Sequence, residues 1–364
     1  MGTIRARTTA FDFDLKTRDG ESILEALRRS ALPAQGFLLH DEDGGFLSLA
    51  TVLSTGQRVN AFSLRNPDFG VLNPSVQVAG RDDAVAEIFA ADGTDQKPTL
   101  VQFTRAEGID YVYAAVSKVL HDYRHAHPEG GDIQIALSGG GDGRIVGECV
   151  GRYKTEHPDA AFHAVITANG FEDETEHLDS AIGIAKRFAL PYTVFNEDDS
   201  AKKLGFANGF ASALERYRDE FPDDEAEILA TYWVQELNFA VARDAGRTGI
   251  IFGFNLEDVI AERLYQALTG RHLDPYPVRQ AEGINLIAPL YRIPKKLIDA
   301  LDVTNSMRNY ERRQASVSYL RSAMYFLAYH VVERFPALAA AYADPTIVAS
   351  ASEEPPPWLI ASPN

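Results

Sequence analysis

Between residues 133 and 287, short apolar runs alternate with longer stretches of helical periodicity, and this alternation most constrains the fold. The predicted strands are 133–137, 161–167, 191–195, 249–252 and 284–287. The predicted helices are 144–155, 174–188, 198–220, 224–245 and 256–268. Such alternation favours parallel strands joined by right-handed helical crossovers. The sequence therefore predicts an α/β fold built on a doubly wound parallel sheet.

The first of these strands ends in a glycine-rich turn, residues 138–143 (Ser-Gly-Gly-Gly-Asp-Gly), and a helix follows it. Glycines let the backbone approach an anion closely, and a strand–turn–helix arrangement aims N–H groups at a phosphate. The turn lacks the Gly-Lys-Ser/Thr ending of a Walker loop, and its glycine spacing differs from the dinucleotide fingerprint. An ordinary tight turn is the alternative, so a second motif is needed to decide.

That second motif is residues 253–262 (Gly-Phe-Asn-Leu-Glu-Asp-Val-Ile-Ala-Glu), which follow a later strand. Its acidic pair, Glu257 and Asp258, could merely complement the dipole at a helix start. Facing a phosphate loop, the same pair could hold Mg²⁺ together with nucleotide phosphates. Ligands of doubly wound sheets bind at the carboxyl ends of the strands. We therefore expect residues 138–143, 167–170 and 253–258 to lie along one edge.

With both motifs in this order, the sequence resembles the N-type ATP pyrophosphatases. Residues 138–142 look like their PP-loop, Ser-Gly-Gly-x-Asp-Ser. Residues 253–262 are similar to the Gly-His-His-x-Asp-Asp-x-x-Glu-Thr signature of the branch that contains tRNA(Ile)-lysidine synthetase and the tRNA 2-thiocytidine synthetases. Residues 288–292 resemble the family's Arg-Pro-Leu stretch, and 321–336 resemble its late helix ending in Arg-Phe-Pro. The resemblance covers roughly residues 130–340.

The resemblance implies an adenine nucleotide alpha hydrolase-like fold and an AMP- and pyrophosphate-forming ligase or transferase. A substrate carbonyl oxygen would be adenylated by ATP, and a nitrogen nucleophile, less favourably sulfur, would then displace AMP. N–H donors and Mg²⁺ would stabilise the leaving pyrophosphate. ATP contacts are implied for Leu137, Ser138, Gly139, Gly140, Gly141, Asp142, Gly143, Thr167, Ala168 and Gly253. Catalytic roles are implied for Asp142, Glu257 and Asp258, and Mg²⁺ ligation for Asp142 and Asp258.

Some positions depart from the family pattern. Gly141 stands where many relatives have lysine, and Gly143 replaces the Ser or Thr that closes the loop. Arg144 could supply compensating positive charge. Phe and Asn at 254–255 replace the His-His pair. These departures leave open a degenerate domain that binds nucleotide without turnover, whereas the retained acidic residues favour an enzyme.

The chain has one cysteine, Cys149, on the apolar side of a predicted helix, and we expect it to be a packed core residue. One cysteine provides neither a disulfide framework nor a cysteine-ligated cluster within a chain. From this count we expect ATP and Mg²⁺ as cofactors, with no iron–sulfur cluster and no zinc. The missing cysteines also favour nitrogen over sulfur as the nucleophile.

The formal net charge of −17 bears on partners. Nucleic-acid binding usually needs a basic surface, so tRNA is disfavoured and a small-molecule or carrier-bound substrate is expected. Candidate basic clusters are Lys295-Lys296 and Arg308, Arg312 and Arg313, for which a solvated helix face is the alternative. His177 is a candidate substrate contact near the second strand end, and a homodimer is an open option.

The remaining segments suggest a domain division. Residues 1–105 contain strand-like runs at 4–14, 36–40, 46–53 and 58–63 and a helix at 22–30, which predicts an accessory α+β domain. A β-grasp is one candidate, and strands that extend the main sheet are the alternative. Residues 106–348 would form the nucleotide domain with C-terminal helices, and 349–364 a flexible Pro/Ser-rich tail. Neither a secretory h-region nor a membrane-length apolar run is present, so a cytoplasmic protein without a membrane partner is expected.

Overall fold

A computed structural model describes the chain over residues 1–7, 12–30, 32–63, 83–91, 98–128, 131–168, 174–220, 226–302, 319–336, 339 and 342–343. Within these ranges no helix combines the length and apolar character needed to cross a membrane. The predicted tail at 349–364 and the arginines at 308, 312 and 313 lie outside the described residues.

The observed elements follow the predicted alternation closely. In chain order they are β1 (Thr3–Arg7), β2 (Asp12–Lys16), α1 (Ile23–Arg29), β3 (Phe37–Asp41), β4 (Arg58–Ser63), β5 (Ala86–Ala91), β6 (Pro98–Phe103), α2 (Arg105–Ala126), β7 (Ile133–Ala136), α3 (Gly141–Glu156), β8 (Phe162–Thr167), α4 (Glu174–Arg187), β9 (Tyr192–Phe195), α5 (Glu197–Lys203), α6 (Gly209–Glu220), α7 (Ala226–Asp244), β10 (Gly249–Ile251), α8 (Leu256–Leu268), β11 (Val278–Ala281), β12 (Ile284–Ile287), α9 (Lys295–Leu301) and α10 (Tyr319–Arg334).

The central sheet has six strands in the order β11-β12-β10-β7-β8-β9. Five of them, from β12 to β9, run parallel, and β11 pairs antiparallel with β12 at one edge. From β7 the chain adds β8 and β9 on one side, and it then returns to place β10 and β12 on the other. The predicted doubly wound α/β sheet is thus confirmed, and its topological switch point lies between β7 and β10.

Helix α3 is fixed against this sheet by its apolar side. Ile145, Val150 and Tyr153 are fully buried, and Cys149 retains only 1% exposure, which confirms its predicted place in the core. Burial raises the pKa of the Cys149 thiol to about 12, because the thiolate loses its hydration. Only the thiolate is a good nucleophile, so this sulfur is chemically quiet in the folded protein.

We therefore predict that Cys149 does not react with a disulfide reagent such as DTNB at mildly alkaline pH while the protein is folded. In denaturant one thiol per chain should react at the rate of a free cysteine, because unfolding restores its ordinary pKa. Time-resolved absorbance of the released thiolate measures both rates. Rapid labelling of the folded protein, with its circular dichroism unchanged, would contradict the buried placement.

The N-terminal module, defined as β1–β4 with α1, has its own four-stranded sheet in the order β2-β1-β4-β3. β1 runs parallel to β4, and the other neighbours are antiparallel. Apolar residues of the sheet and of α1 form a separate core, including Ile4, Leu27 and Phe37. Helix α1 begins at a capping box, in which Ser22 and Glu25 satisfy each other's backbone N–H groups.

Two sequence predictions differ from the structure, and two further features were not predicted. Residues 46–53 form no strand but only isolated bridges, because this segment's polar groups bind Glu87 instead, through the Leu49 amide at 2.6 Å and the Ser48 hydroxyl at 3.0 Å. The predicted helix 198–220 is divided into α5 and α6, since Gly205 and Gly209 between them adopt positive φ. The antiparallel hairpin β5–β6 and the edge strand β11 were not predicted.

Candidate active site

The glycine-rich turn lies where it was predicted, between the carboxyl end of β7 and the first turn of α3. Gly140 is the N-cap of α3 and, as a glycine, has no side chain to cap this helix end. The Gly139 carbonyl accepts a 2.8 Å hydrogen bond from the Ser180 hydroxyl of α4, and Ser138 is exposed. A helix N-terminus without a side-chain cap presents backbone N–H groups, which is the arrangement that binds phosphate.

Gly143 has a structural role in this turn that the comparison of motifs did not reveal. A Cβ atom at this position would lie 2.3 Å from the Ser138 carbonyl oxygen and 2.7 Å from the Ser138 hydroxyl oxygen. No side chain fits at that separation, so a serine or threonine here would require a different loop conformation. Arg144 does not compensate the loop, because its guanidinium pairs with Asp302 at 2.8 Å.

Asp142, in the first turn of α3, is the meeting point of the two motifs. Its Oδ2 accepts a 2.8 Å hydrogen bond from Lys295 Nζ, and Asn255 Nδ2 lies 3.4 Å from its Oδ1. A Cβ atom at Gly253 would lie 3.1 Å from Asp142 Cβ, so glycine permits this close approach. The structure therefore brings the predicted residues Asp142 and Gly253 together beside the switch point of the sheet.

Asp258 is held by the start of helix α8. Asn255 is the N-cap of this helix and forms a capping box with Asp258. The Asp258 carboxylate accepts a 3.1 Å hydrogen bond from the backbone N–H of Asn255. The other Asp258 oxygen accepts a hydrogen bond from the Tyr325 hydroxyl of α10. Since Asn255 contacts both acidic residues, it places Asp142 and Asp258 on the same side of the site.

Glu257 points elsewhere, into the protein interior. Its side chain is fully buried and accepts hydrogen bonds from the Lys295 amide at 2.8 Å and from Gln35 Nε2 at 3.2 Å. Burial raises the pKa of this carboxyl to about 7, although both hydrogen bonds oppose the shift. The structure does not bring Glu257 to the loop surface, and its predicted catalytic role stays a prediction.

The prediction of a basic surface cluster at Lys295-Lys296 is wrong. Both side chains are only 2% exposed. Lys295 Nζ pairs with Asp142 and, at 2.7 Å, with Asp299, whereas the buried Lys296 Nζ has no hydrogen-bond partner in the described part of the chain. The sequence carried a signal of this burial, because the rest of α9 after the two lysines is apolar except for Asp299. Sequence reasoning also missed Asn255, Ser180 and Gln35.

The next strand end, at β8, supplies two further predicted residues. Thr167 and Ala168 are 7% and 2% exposed, and the Ala168 amide donates to the Phe195 carbonyl at 2.9 Å. They lie one strand away from the turn, at the same sheet edge, and their predicted adenosine contacts remain predictions. The side chain of His177 lies outside the described residues. Across the described part of the chain, no three His, Cys, Asp or Glu side chains cluster as a metal site.

No protein-family model and no curated protein matches this sequence. Among solved structures, the chain is similar to the U34-tRNA thiolase NcsA from Methanococcus maripaludis with its [4Fe-4S] cluster, at a TM-score of 0.51 and 14% identity over 72% of this chain and 86% of the thiolase. It is also similar to the NH3-dependent NAD synthetase from Campylobacter jejuni in complex with nitrate (TM-score 0.37, 10% identity, 72% and 98% of the two chains) and to NAD+ synthetase from Burkholderia pseudomallei (0.35, 14%, 69% and 92%). The two synthetases are too distant at those TM-scores to carry an argument.

The likeness to the thiolase establishes the fold class. The chain has the PP-loop fold of the N-type ATP pyrophosphatases, and the predicted resemblance is confirmed at the level of the fold. The glycine-rich turn, with Asp142, and Gly253 lie at the switch point of its sheet.

The same comparison corrects the expected cofactors. A cofactor set without an iron–sulfur cluster was predicted, yet the thiolase that shares this fold has a [4Fe-4S] cluster. The number of cysteines in one chain does not determine whether a protein binds a cluster, because cluster ligands can also come from a second subunit.

Proposed function

We propose that this protein is an ATP-dependent enzyme that adenylates a substrate and releases pyrophosphate, and that a nucleophile then displaces AMP. The observation that carries the proposal is the glycine-rich turn at residues 138–143, whose Asp142 lies against Gly253 at the switch point. The shared fold supports ATP-using chemistry in general. The class of reaction is our proposal.

The reaction has two balanced steps. A substrate carbonyl oxygen attacks the α-phosphorus of ATP, the bond to the bridging β-oxygen breaks, and pyrophosphate leaves with the electron pair. A nucleophile then attacks the activated carbon, loses a proton, and expels AMP. Backbone N–H groups of residues 139–143 would bind the β- and γ-phosphates, because charge builds up on pyrophosphate as it leaves. Leu137, Thr167 and Ala168 would line the adenosine side.

Mg²⁺ fits this site as a nucleotide-bound ion. Mg²⁺ is usually held by one or two carboxylates together with substrate phosphates, and it neutralises developing phosphate charge. Asp142, 24% exposed beside the loop, and Asp258, joined to it through Asn255, are the proposed ligands. Lys295 would hold the Asp142 carboxylate in place from beneath the loop.

The nucleophile is proposed to be nitrogen or sulfur. The sequence favoured nitrogen because cysteines are scarce, whereas the NcsA structure is named as a tRNA thiolase. Small-molecule, carrier-bound and tRNA substrates all stay within the proposal, with tRNA disfavoured by the acidic charge.

The test is to incubate the protein with ATP, Mg²⁺ and candidate acceptors, with ammonia or sulfide as donor, and to separate the nucleotide products. AMP and pyrophosphate in equal amounts are expected, together with acceptor-dependent exchange of labelled pyrophosphate into ATP. Formation of ADP and phosphate instead would show that the reaction class is wrong.

Asp142→Asn should lower the rate of pyrophosphate formation by about 100-fold or more, the size of effect seen when a group that stabilises transition-state charge is lost. Asp110→Asn is the matched control, since Asp110 is exposed on α2 and pairs with the exposed Arg152. Steady-state rates of both variants measure the effect. Full activity of Asp142→Asn would show that Asp142 is not a catalytic residue.

A domain that binds nucleotide without turnover is the second candidate. It is favoured by the contacts of the acidic residues, since Asp142 already pairs with Lys295 and Asp258 accepts from Tyr325. ATP binding by calorimetry with no AMP formed from any acceptor would support it.

We also propose the domain division 1–105 and 106–348, with the N-terminal module as a β-grasp. Its support is the sheet order, with β1 parallel to β4 and α1 between β2 and β3. The β5–β6 hairpin joins the two parts, because Ala86 and Ile88 pack in the main core while Phe89 and Leu100 pack in the core of the N-terminal module.

A further inference from the structure

A chain of buried polar contacts runs from the N-terminal module to the phosphate loop. It begins at Gln35, in the 3₁₀ turn Ala34–Gly36 that precedes β3, whose side chain is fully buried. Gln35 Nε2 donates to Glu257 Oε1 at 3.2 Å, across 222 positions of sequence. This hydrogen bond joins the module to the start of helix α8.

Two further contacts complete the path. Glu257 Oε2 accepts the backbone N–H of Lys295 at 2.8 Å, and Lys295 Nζ donates to Asp142 Oδ2 at 2.8 Å. Gln35, Glu257 and Lys295 are 0%, 0% and 2% exposed, so bulk water has little access to their polar groups. Three hydrogen-bonded contacts therefore connect Asp142 to the Gln35 side chain of the N-terminal module.

The module end of this chain is itself fixed. The Gln35 backbone N–H donates to Glu333 Oε2 at 3.2 Å, and Glu333 Oε1 accepts from Arg28 Nε of α1 at 2.9 Å. Gln35 is thus held between α1 and α10, independently of its contact with Glu257. A change in the module's seating would move Gln35 relative to Glu257.

The physical consequence follows from burial. In a low-dielectric interior a hydrogen bond is electrostatically stronger, and a polar group that loses its partner has no water to replace it. Losing the Gln35 contact would leave one Glu257 oxygen without its amide donor, so Glu257 would shift and loosen its hold on the Lys295 amide. The position of Lys295 Nζ, and with it Asp142, depends on that amide.

We propose that the N-terminal module positions the phosphate loop through this chain, with Gln35 and Glu257 as positioning residues that act through Lys295 on Asp142. This proposal rests on the proposed function only in assuming that the loop binds a nucleotide. The order of the loop itself can be measured without any nucleotide.

Three variants separate positioning from simple structural support. Gln35→Leu removes the side-chain amide, keeps a side chain of similar volume, and retains the hydrogen bond from the backbone N–H to Glu333. Glu257→Leu removes both acceptors, whereas Glu257→Gln keeps an acceptor for the Lys295 amide and can pair with Gln35 after the Gln35 amide flips. Lys118→Met is a control away from this path, because Lys118 is exposed on α2 and pairs with Asp122.

The readout is hydrogen–deuterium exchange of the nucleotide-free protein, compared between a peptide at 137–146 and the β8 strand. Gln35→Leu is expected to speed exchange at 137–146 roughly three- to tenfold, a usual size for coupling between sites. Glu257→Leu should exceed that, and Glu257→Gln and Lys118→Met should stay within about twofold of wild type. Exchange in β8 should not change.

Unchanged exchange at 137–146 in Gln35→Leu, or an equal increase in β8, would overturn the proposal, because the first shows no coupling and the second only global loosening. Failure of Glu257→Gln to restore exchange relative to Glu257→Leu would also overturn it. ATP titration by calorimetry is run separately. A wild-type protein that does not bind ATP would defeat the proposed function, while the exchange data would still decide whether the module positions the loop.

Discussion

Replacing Lys295 by methionine is expected to lower the free energy of unfolding by about 3–5 kcal/mol, the cost of removing one partner from a buried ion pair. Lys295 Nζ lies 2.8 Å from Asp142 and 2.7 Å from Asp299, and Asp299 is only 3% exposed. Methionine fills a similar volume but leaves both carboxylates without this cation. The desolvated Asp299 charge therefore dominates the loss.

Urea denaturation followed by circular dichroism measures this change. The slope of the transition should stay close to that of wild type, since the surface exposed on unfolding changes little. Lys296→Met is the matched control, with the same substitution one residue further along α9. A Lys295→Met protein as stable as wild type would show that the Lys295 contacts are not those described.

Lys296→Met should have the opposite sign and raise the free energy of unfolding by about 1–3 kcal/mol, the cost of burying a polar group without a hydrogen bond. Among the residues that the structure describes, the buried Lys296 Nζ has no hydrogen-bond partner, and Glu87 and Glu333 are charged groups that face it. Each carboxylate has its own donors, among them the Leu49 amide for Glu87 and Arg28 for Glu333. The substitution therefore removes a desolvated charge, and both carboxylates keep their hydrogen-bond donors.

The pH dependence gives this prediction a signature. Burial lowers the pKa of Lys296 from its ordinary value of 10.5, while the unfolded chain keeps that value. Below the folded pKa both states carry the proton, and the folded protein bears the full cost of the charge. As pH rises from the folded pKa towards 10.5, the folded protein releases a proton that the unfolded chain retains, so wild type gains stability.

The advantage of Lys296→Met should therefore be largest at neutral pH and shrink as the solution becomes alkaline. Urea midpoints of both proteins across that range measure the difference. An advantage that grows with alkalinity, or a variant less stable than wild type at neutral pH, would contradict the description of Lys296 as a buried charge without a hydrogen bond.

Local patterns account for the part of the fold that sequence analysis predicted. Helix α8 was predicted at its observed bounds, because apolar periodicity is a local pattern that shows within a few residues. The strand and glycine turn at 133–143 are equally local signals. The antiparallel pair β5–β6 was not predicted, although Asp and Gly at 92–93 are a turn signal between its strands. Residues 46–53 were wrongly predicted as a strand, because their polar groups contact Glu87 instead.

The sequence by itself determined the alternation of strands and helices, the loop at the end of β7 and the acidic start of α8. Only the tertiary structure decided that Lys295 and Lys296, adjacent in sequence, have opposite surroundings, and that Glu257 faces Gln35 instead of the loop. The reason is physical. Periodicity and capping depend on neighbours within a turn or two, whereas the Lys295–Asp142 and Glu257–Gln35 contacts join residues 153 and 222 positions apart, and burial makes those contacts decisive.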